Sequence, residues 1–303
     1  MEAKKRIFIT GGTGLLGKYL IDTRKADLEV LSCYIGSYDM MSTEGCLYIQ
    51  ADIRDLEGMK AIFDEFRPEA VIHTAGIANV DYCENHYEEA YSSNVLGTEN
   101  IIELCRVNRS SLVYISTNAV FDGENAPYGE EAPVNPLNRY GKLKVVCEGL
   151  VTASGLQTAV VRPILMYGWH HDQERSNQVT WLLEKLERRE EVTMVDDVYE
   201  NPLFAGSCAL SIWKVIENDY TGLFHIAGRD IVNRYELALA VADAFNLDRS
   251  LIRAVKSDFF SSIAPRPKNT SFLTKKMENE LGVSPLGLME GLRIMKSQSV
   301  SRR

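Results

Sequence analysis

Positions 140 and 144 read Tyr-x-x-x-Lys. On a helix these two side chains leave the same face about one turn apart. A free phenol has a pKa near 10 and is a poor proton donor or acceptor at neutral pH. A neighbouring ammonium favours the phenolate, and catalysis improves as the pKa nears the working pH. Bringing it there takes roughly 4 kcal/mol of differential interaction, which a lysine and a second nearby cation could share. Tyr and Lys at this spacing are common on exposed helices, so the pair needs company. Thr117 is a candidate companion, because it follows the apolar run Ser111–Ser116 and places a hydroxyl at a strand end. There it could bond a carbonyl oxygen while Tyr140 donates its proton; the alternative is an ordinary strand-end polar residue.

A second group of residues suits a phosphate. The run Arg6–Thr10 leads into Gly11-Gly12-Thr13-Gly14-Leu15-Leu16-Gly17. Gly12, Gly14 and Gly17 satisfy G-x-G-x-x-G, and Gly11, Gly14 and Gly17 satisfy G-x-x-G-x-x-G. Glycines let the turn adopt unusual backbone angles, let a pyrophosphate approach the main chain and let the helix pack near its strand. The anion then sits at the positive end of the helix dipole. In a strand–loop–helix setting this motif points to NAD or NADP. Which of the two stays open: the second strand ends in Ser32–Ser37 with neither acid nor arginine, and Asp39 comes slightly late. Asp52 and Ile53, after the third strand, are further contact candidates. A carboxylate there could accept from an adenine amino group, or Asp52 could cap the helix from Leu56.

The elements that must position these groups are legible as an alternation. Strands are expected at Arg6–Thr10, Glu29–Tyr34, Leu47–Ala51, Ala70–His73, Ser111–Ser116 and Thr158–Arg162. Helical stretches lie between them at Leu15–Arg24, Leu56–Phe66, Tyr87–Asn108 and Arg139–Ala153. Strands alternating with helices predict right-handed βαβ units and a doubly wound parallel (Rossmann) sheet in an α/β protein. The expected dinucleotide-binding domain is residues 1–163, completed by about 203–230. Residues 164–303 form mainly a smaller, interleaved α/β substrate domain. There a helix is expected at Asn177–Arg189, a strand at Val192–Val195, another at Leu223–Ala227 and a helix at Tyr235–Phe245. The polar end, Ser297–Arg303, reads as frayed.

Composition narrows the class. The chain has 303 residues, 45% apolar and 25% charged, and carries a formal charge of −9. That acidity argues against wholesale binding to nucleic acid or to an anionic membrane. No run approaches the roughly 18 apolar residues of a membrane span, and the start lacks a signal-peptide pattern, so a cytoplasmic location is expected. Six scattered cysteines with no Cys-x-x-Cys pair suit reduced thiols. No metal is expected: His73, His170 and His171 lack a third ligand at suitable spacing, and His73 reads as structural. Trp181 and Leu182 read as core or subunit contacts.

The segments GGTGLLG (11–17), HTAGIANVDYCE (73–84), NVLGTENI (94–101), ISTNAVFDG (115–123), PLNRYGKLK (136–144) and RPILMYG (162–168) resemble the extended short-chain dehydrogenase/reductases that act on nucleotide sugars. Within them the chain is most similar to the dTDP-4-dehydrorhamnose reductase family, with support from Val195–Asp197 and from RPKN (266–269) followed by Thr274-Lys275-Lys276. The resemblance covers nearly the whole chain. It implies Thr117, Tyr140 and Lys144 as catalytic and Asn94 in the active-site network. Around the cofactor it implies Thr10 to Gly17, Asp52, Ile53, Ala75, Gly76, Arg162 and Pro163. It implies a nucleotide-linked 4-keto-6-deoxy sugar as substrate, with Asn118, Ala119 and Arg266 on the sugar side, and a homodimer. Arg266 and Lys268 could grip a diphosphate, or form a solvated basic loop.

Three departures lie on the sugar side. Reductases of this family usually read Ser-Thr-Asp-Tyr where Ser116-Thr117-Asn118-Ala119 stands. They commonly have Trp in place of Leu165, and Gly-(Ser/Ala)-Pro-Thr in place of Glu200-Asn201-Pro202-Leu203. Asn118-Ala119 also speaks against dehydration, since the sugar dehydratases carry Asp-Glu there, while a small residue near Ala119 keeps NAD-dependent epimerisation open. A third role comes from another class: a non-catalytic NADP-binding subunit like the methionine adenosyltransferase β subunit, which shares this fold.

Overall fold

The computed structural model describes residues 4–36, 45–261 and 264–300. Asp39 and Ser37 therefore lie outside the described residues. Seven strands form one sheet: β1 (Lys5–Thr10), β2 (Leu28–Tyr34), β3 (Cys46–Gln50), β4 (Ala70–His73), β5 (Ser111–Ile115), β6 (Thr158–Pro163) and β7 (Gly222–Ile226). Their order is β7-β6-β5-β4-β1-β2-β3 and every pairing is parallel. This is the doubly wound α/β arrangement expected from the sequence, with its order reversing between β1 and β4.

The strands have continuous apolar runs because both faces of the sheet are covered. Side chains alternate between faces, so Ile7 and Ile9 join one core while Phe8 between them joins the other; all three are 0% exposed. The first core includes α1 (Leu15–Asp22) and the helix Ala205–Glu217, whose Trp213 Nε1 donates to Leu20 O at 3.2 Å. The second includes α2 (Leu56–Phe66), α3 (Gly97–Asn108) and α4 (Arg139–Thr152). Phe63 of α2 meets Phe8 edge-on at 4.9 Å.

The later part of the chain shares the first core without a break. Helices Gln178–Glu187, Arg234–Phe245 and Leu288–Val300 pack around short strand pairs, among them Val192–Val195 parallel to Ile252–Val255. Leu182 is fully buried here, and Trp181 lies against the same core, in keeping with packing roles for both.

Three local expectations need correction. The stretch Tyr87–Asn108 is helical but not uniformly α: a π turn, Ser92–Leu96, interrupts it before α3. The helix Ala205–Glu217 was not among the expected elements, although it has an amphipathic period, with Leu210, Lys214 and Glu217 along its less buried side. The end of the chain is not frayed as far as residue 300. It continues the helix Leu288–Val300, anchored by Trp169 Nε1 donating to Met295 O at 2.7 Å and Tyr19 Oη donating to Gln298 Oε1 at 3.1 Å.

The Phe8–Phe63 contact offers a check of the second core. Phe63→Ala should cost about 3–5 kcal/mol of stability, the usual range for emptying a buried ring site. Urea unfolding followed by circular dichroism would report it, and a loss below about 1 kcal/mol would contradict the packing described.

Candidate active site

The order reversal brings two loops side by side at the carboxyl edge of the sheet. Gly11, just after β1, has φ +74° and donates its N–H to Cys33 O at 2.9 Å. A Cβ there would lie 2.7 Å from Thr74 Oγ1, so only glycine suits both the angle and the space. A Cβ on Gly17 would come 2.3 Å from Gly11 O, which keeps α1 tight against its strand. Thr13 and Leu16 are buried and Leu15 packs on the core. Gly14 caps α1 with no side-chain hydrogen bond, and a Cβ built on it would meet only Gly11 O, at 3.4 Å. The first N–H groups of α1 therefore face an open cradle suited to a pyrophosphate.

His73 at the end of β4 ties this loop to the π turn. Thr10 Oγ1 accepts from the N–H groups of Thr74 and Ala75, both at 3.1 Å, and so donates its own proton to His73 Nδ1 at 2.7 Å. Thr98 Oγ1 donates to Asn94 O at 2.5 Å, so it accepts from His73 Nε2–H at 3.1 Å. Each proton has one place to go, and the chain closes only for a neutral His73. Burial drives its pKa down to about 3, with Lys144 adding to the effect. Asn94 grips the segment after β4 from both sides: Ile77 N donates to Oδ1 at 2.6 Å and Nδ2 donates to Ile77 O at 3.0 Å. A Cβ on Gly76 would meet that Oδ1 at 2.9 Å.

The three expected catalytic groups come together on the other side of β4. Thr117 caps a short 3-10 turn, with its Oγ1 accepting from Ala119 N at 3.2 Å. Gly141, beside Tyr140 on α4, approaches the same turn closely: a Cβ there would stand 2.2 Å from Ala119 O. Burial pushes the Tyr140 phenol's pKa up to about 12, opposed by the nearby Thr117 hydroxyl, which itself donates to Asn118 Oδ1 at 3.3 Å, while Cys83 and Cys147 add to the rise. Lys144 does not supply the expected lowering. Its Nζ instead donates to Ile115 O at 2.8 Å and stands 4.7 Å from the centre of the Tyr114 ring. Burial also holds Lys144 below the ordinary lysine range.

Other expected contacts turn out to be occupied. Asp52 does not cap α2; Asp55 does, and the Asp52 carboxylate takes a two-pronged contact from Arg54 at 2.9 and 2.6 Å, which lowers its pKa. Ile53 is buried against Gly97 at the start of α3. Arg162 is buried and its guanidinium faces the carboxylate of Glu148 rather than the cleft. Arg266 binds Asp81 through two contacts of 2.9 and 2.8 Å, so it is neither free for a diphosphate nor merely solvated. Asn118 Nδ2 donates to Glu200 Oε1 at 2.9 Å and Thr270 Oγ1 at 2.6 Å. Glu200 in turn pairs with Arg234 at 2.5 Å. The altered positions 118 and 200 thus touch each other next to Thr117.

A family model, the RmlD substrate-binding domain, matches residues 5–299. The chain belongs to the RmlD substrate-binding domain family. Two relatives place this RmlD-family chain further. Methionine adenosyltransferase 2 subunit beta of Xenopus laevis is 31% identical over 283 residues, covering 90% of this chain and 82% of that protein. The dTDP-4-dehydrorhamnose reductase of Aggregatibacter actinomycetemcomitans is 26% identical over 304 residues, covering 96% and 98%. The crystal structure of dTDP-4-dehydrorhamnose reductase from Bacillus anthracis, in complex with NADP, matches with a TM-score of 0.85 and 26% identity, covering 97% of this chain and 99% of that one. The resemblance to extended short-chain dehydrogenase/reductases rests on the whole fold and not on motifs alone.

In this RmlD-family site the sequence marks Glu200 only as a departure from the family pattern and gives no role to Glu148 or His225. Glu148 carried a signal, since it extends the Tyr140–Lys144 stripe by one more i+4 step. The pairing of Glu200 with Asn118 and the place of His225 beside Arg162 carried none, because only the tertiary fold brings these residues together. His225 accepts from Arg162 at its Nε2 (3.2 Å) and donates through Nδ1 to Tyr128 O (3.2 Å), and burial drives its pKa down to about 3.

Two histidines held neutral make the fold acid-sensitive. In the unfolded chain they take up protons near pH 6.5, but in the folded one only near pH 3. Between those values the unfolded state binds more protons, so stability is full above about pH 6.5 and falls as the pH drops towards 3. His225→Gln, which keeps one donor and one acceptor, should reduce by about half the slope of urea stability between pH 6.5 and 4.5. An unchanged slope would mean that His225 is not the neutral group described.

Proposed function

We propose that this protein is an NADP(H)- or NAD(H)-dependent reductase of a nucleotide-linked 4-keto-6-deoxy sugar. The observation that carries the reading is the buried Tyr140 on a helix that meets the turn capped by Thr117, where a Cβ at Gly141 would stand 2.2 Å from Ala119 O, at the sheet edge that also holds the glycine cradle. When bound, a reduced nicotinamide dinucleotide supplies hydride for carbonyl reduction. The cradle suits such a cofactor, since Gly14 leaves its ligand side open and the α1 amides lack side-chain caps. Residues 11–17 would hold the pyrophosphate, with Ala75, Gly76, Asn94 and the main chain at Arg162 and Pro163 lining the remainder. Thr117 would orient the keto oxygen, Tyr140 would deliver its proton, and Lys144 would hold the ribose of the cofactor. Residues 164–303 would supply most of the sugar side.

A second reading has its own support. The similarity to methionine adenosyltransferase 2 subunit beta spans 90% of the chain, and Asn118 is tied to Glu200 and Thr270 where a sugar would need donors. In that reading the protein binds dinucleotide and serves as a non-catalytic subunit of a synthetase.

Tyr140→Phe decides between them. The reductase reading expects NADPH oxidation with a dTDP-linked 4-keto-6-deoxy sugar by the wild type, and a fall of at least about 10³-fold in kcat for the variant. NADPH affinity, read by fluorescence, should stay within about threefold. Wild-type protein that binds NADPH, oxidises none with a panel of keto-sugar nucleotides and co-elutes with a methionine adenosyltransferase catalytic subunit would establish the second reading. Freshly purified protein already carrying NAD, and active without added reductant, would indicate epimerisation.

A further inference from the structure

We infer that Glu148 is a positioning residue: it fixes the angle at which Thr117 meets Tyr140, acting through Ser116 and Arg162. Tyr140, Lys144 and Glu148 lie at i, i+4 and i+8 on α4, so they share one stripe. The first two reach the cleft and the third points into the body of the fold, where it is 9% exposed and its partner Arg162 is 4% exposed. Arg162 meets it as a fork, Nε to Oε1 at 2.8 Å and NH2 to Oε2 at 2.6 Å. Ser116, the residue before Thr117, donates its hydroxyl to Oε1 as well.

The segment after β5 therefore meets the same helix at two points, Ser116 at Glu148 and the turn capped by Thr117 at Gly141, beside Tyr140. A single contact would let the strand end pivot about it; two contacts separated by two helical turns fix the angle as well. The anchor is itself braced. Arg162 donates to His225 on β7 and its guanidinium lies 5.2 Å from the centre of the Phe121 ring, so β6, β7 and the loop after Thr117 all lean on one carboxylate. A buried ion pair is a poor device for stability alone, because apolar side chains of similar size often serve as well. Apolar side chains would not direct the Ser116 hydroxyl.

The effect on turnover rests on the reductase reading; the effect on the Tyr140 environment does not. The test compares full-length protein with Ser116→Ala, Glu148→Leu and the double variant Glu148→Leu/Arg162→Met, all labelled with tyrosine carrying 13C at Cζ. Tyr140→Phe assigns the Tyr140 resonance and Thr117→Val shows where it moves when the hydroxyl partner is lost. In Ser116→Ala the resonance should move towards the Thr117→Val position with little change in melting temperature. Its kcat should fall about tenfold or more while KM and NADPH affinity stay within about twofold. The double variant should regain melting temperature lost in Glu148→Leu and still show the displaced resonance and low kcat. A Tyr140 resonance unmoved in Ser116→Ala, or kcat recovered together with melting temperature in the double variant, would reduce Glu148 to a packing role. If the wild type turns over no keto-sugar nucleotide, the reductase reading fails and the resonance alone decides for or against the positioning role.

Discussion

Parallel strands send all their carboxyl ends to the same edge, and the rest of this protein follows from that constraint. Loops that leave β1, β4, β5 and β6 have no choice but to crowd one rim. Residues more than sixty positions apart become hydrogen-bond partners there, as Thr10 and His73 do at 2.7 Å. The chain then needs only a modest set of local devices to turn a rim into a site. A glycine accepts an angle other residues resist, a histidine bridges two hydroxyls, and a helix comes close enough to a turn that one position on it has no room for a side chain.

Much of this was legible before any coordinates. Runs such as Val71-Ile72 and Leu112–Ile115 announced strands covered on both faces, and the spacing of Tyr140 and Lys144 gave a helix face with a chemical purpose. Glycines 11 to 17 announced the turn because the backbone itself demands them. What stayed hidden is what depends on a distant partner. The purpose of Arg162 follows from Glu148, that of Arg266 from Asp81 and that of Asn118 from Glu200, and no local pattern links the members of these pairs. Lys144 shows the same limit: its spacing from Tyr140 is visible in sequence, but its donation to Ile115 O depends on how α4 rests on β5.

Charge is arranged against the overall trend. The chain is acidic by nine formal charges, yet the rim collects the positive end of α1 and the buried cation of Lys144. Local fields from a helix terminus act over short distances, so an acidic protein can still offer an anion a favourable seat. Beside Thr117, Asn118, Glu200, Thr270 and Arg234 are linked by two hydrogen bonds and an ion pair. A ligand reaching these residues must trade with the two bonds that the Asn118 amide donates, which makes selection there stricter than along the open cradle.

The π turn at Ser92–Leu96 fits one residue more than an α-helical path would need. Removing any single residue from that stretch would let the helix run on regularly, and each α-helical residue rotates the chain by about 100°. One side of the irregularity or the other would have to swing by that angle. Either Asn94 would lose its hold on Ile77, or the buried face of α3, with Ile101, Leu104 and Cys105, would turn to solvent. The length of this segment is therefore a fixed dimension of the fold, and substitutions are far easier to accommodate there than a deletion.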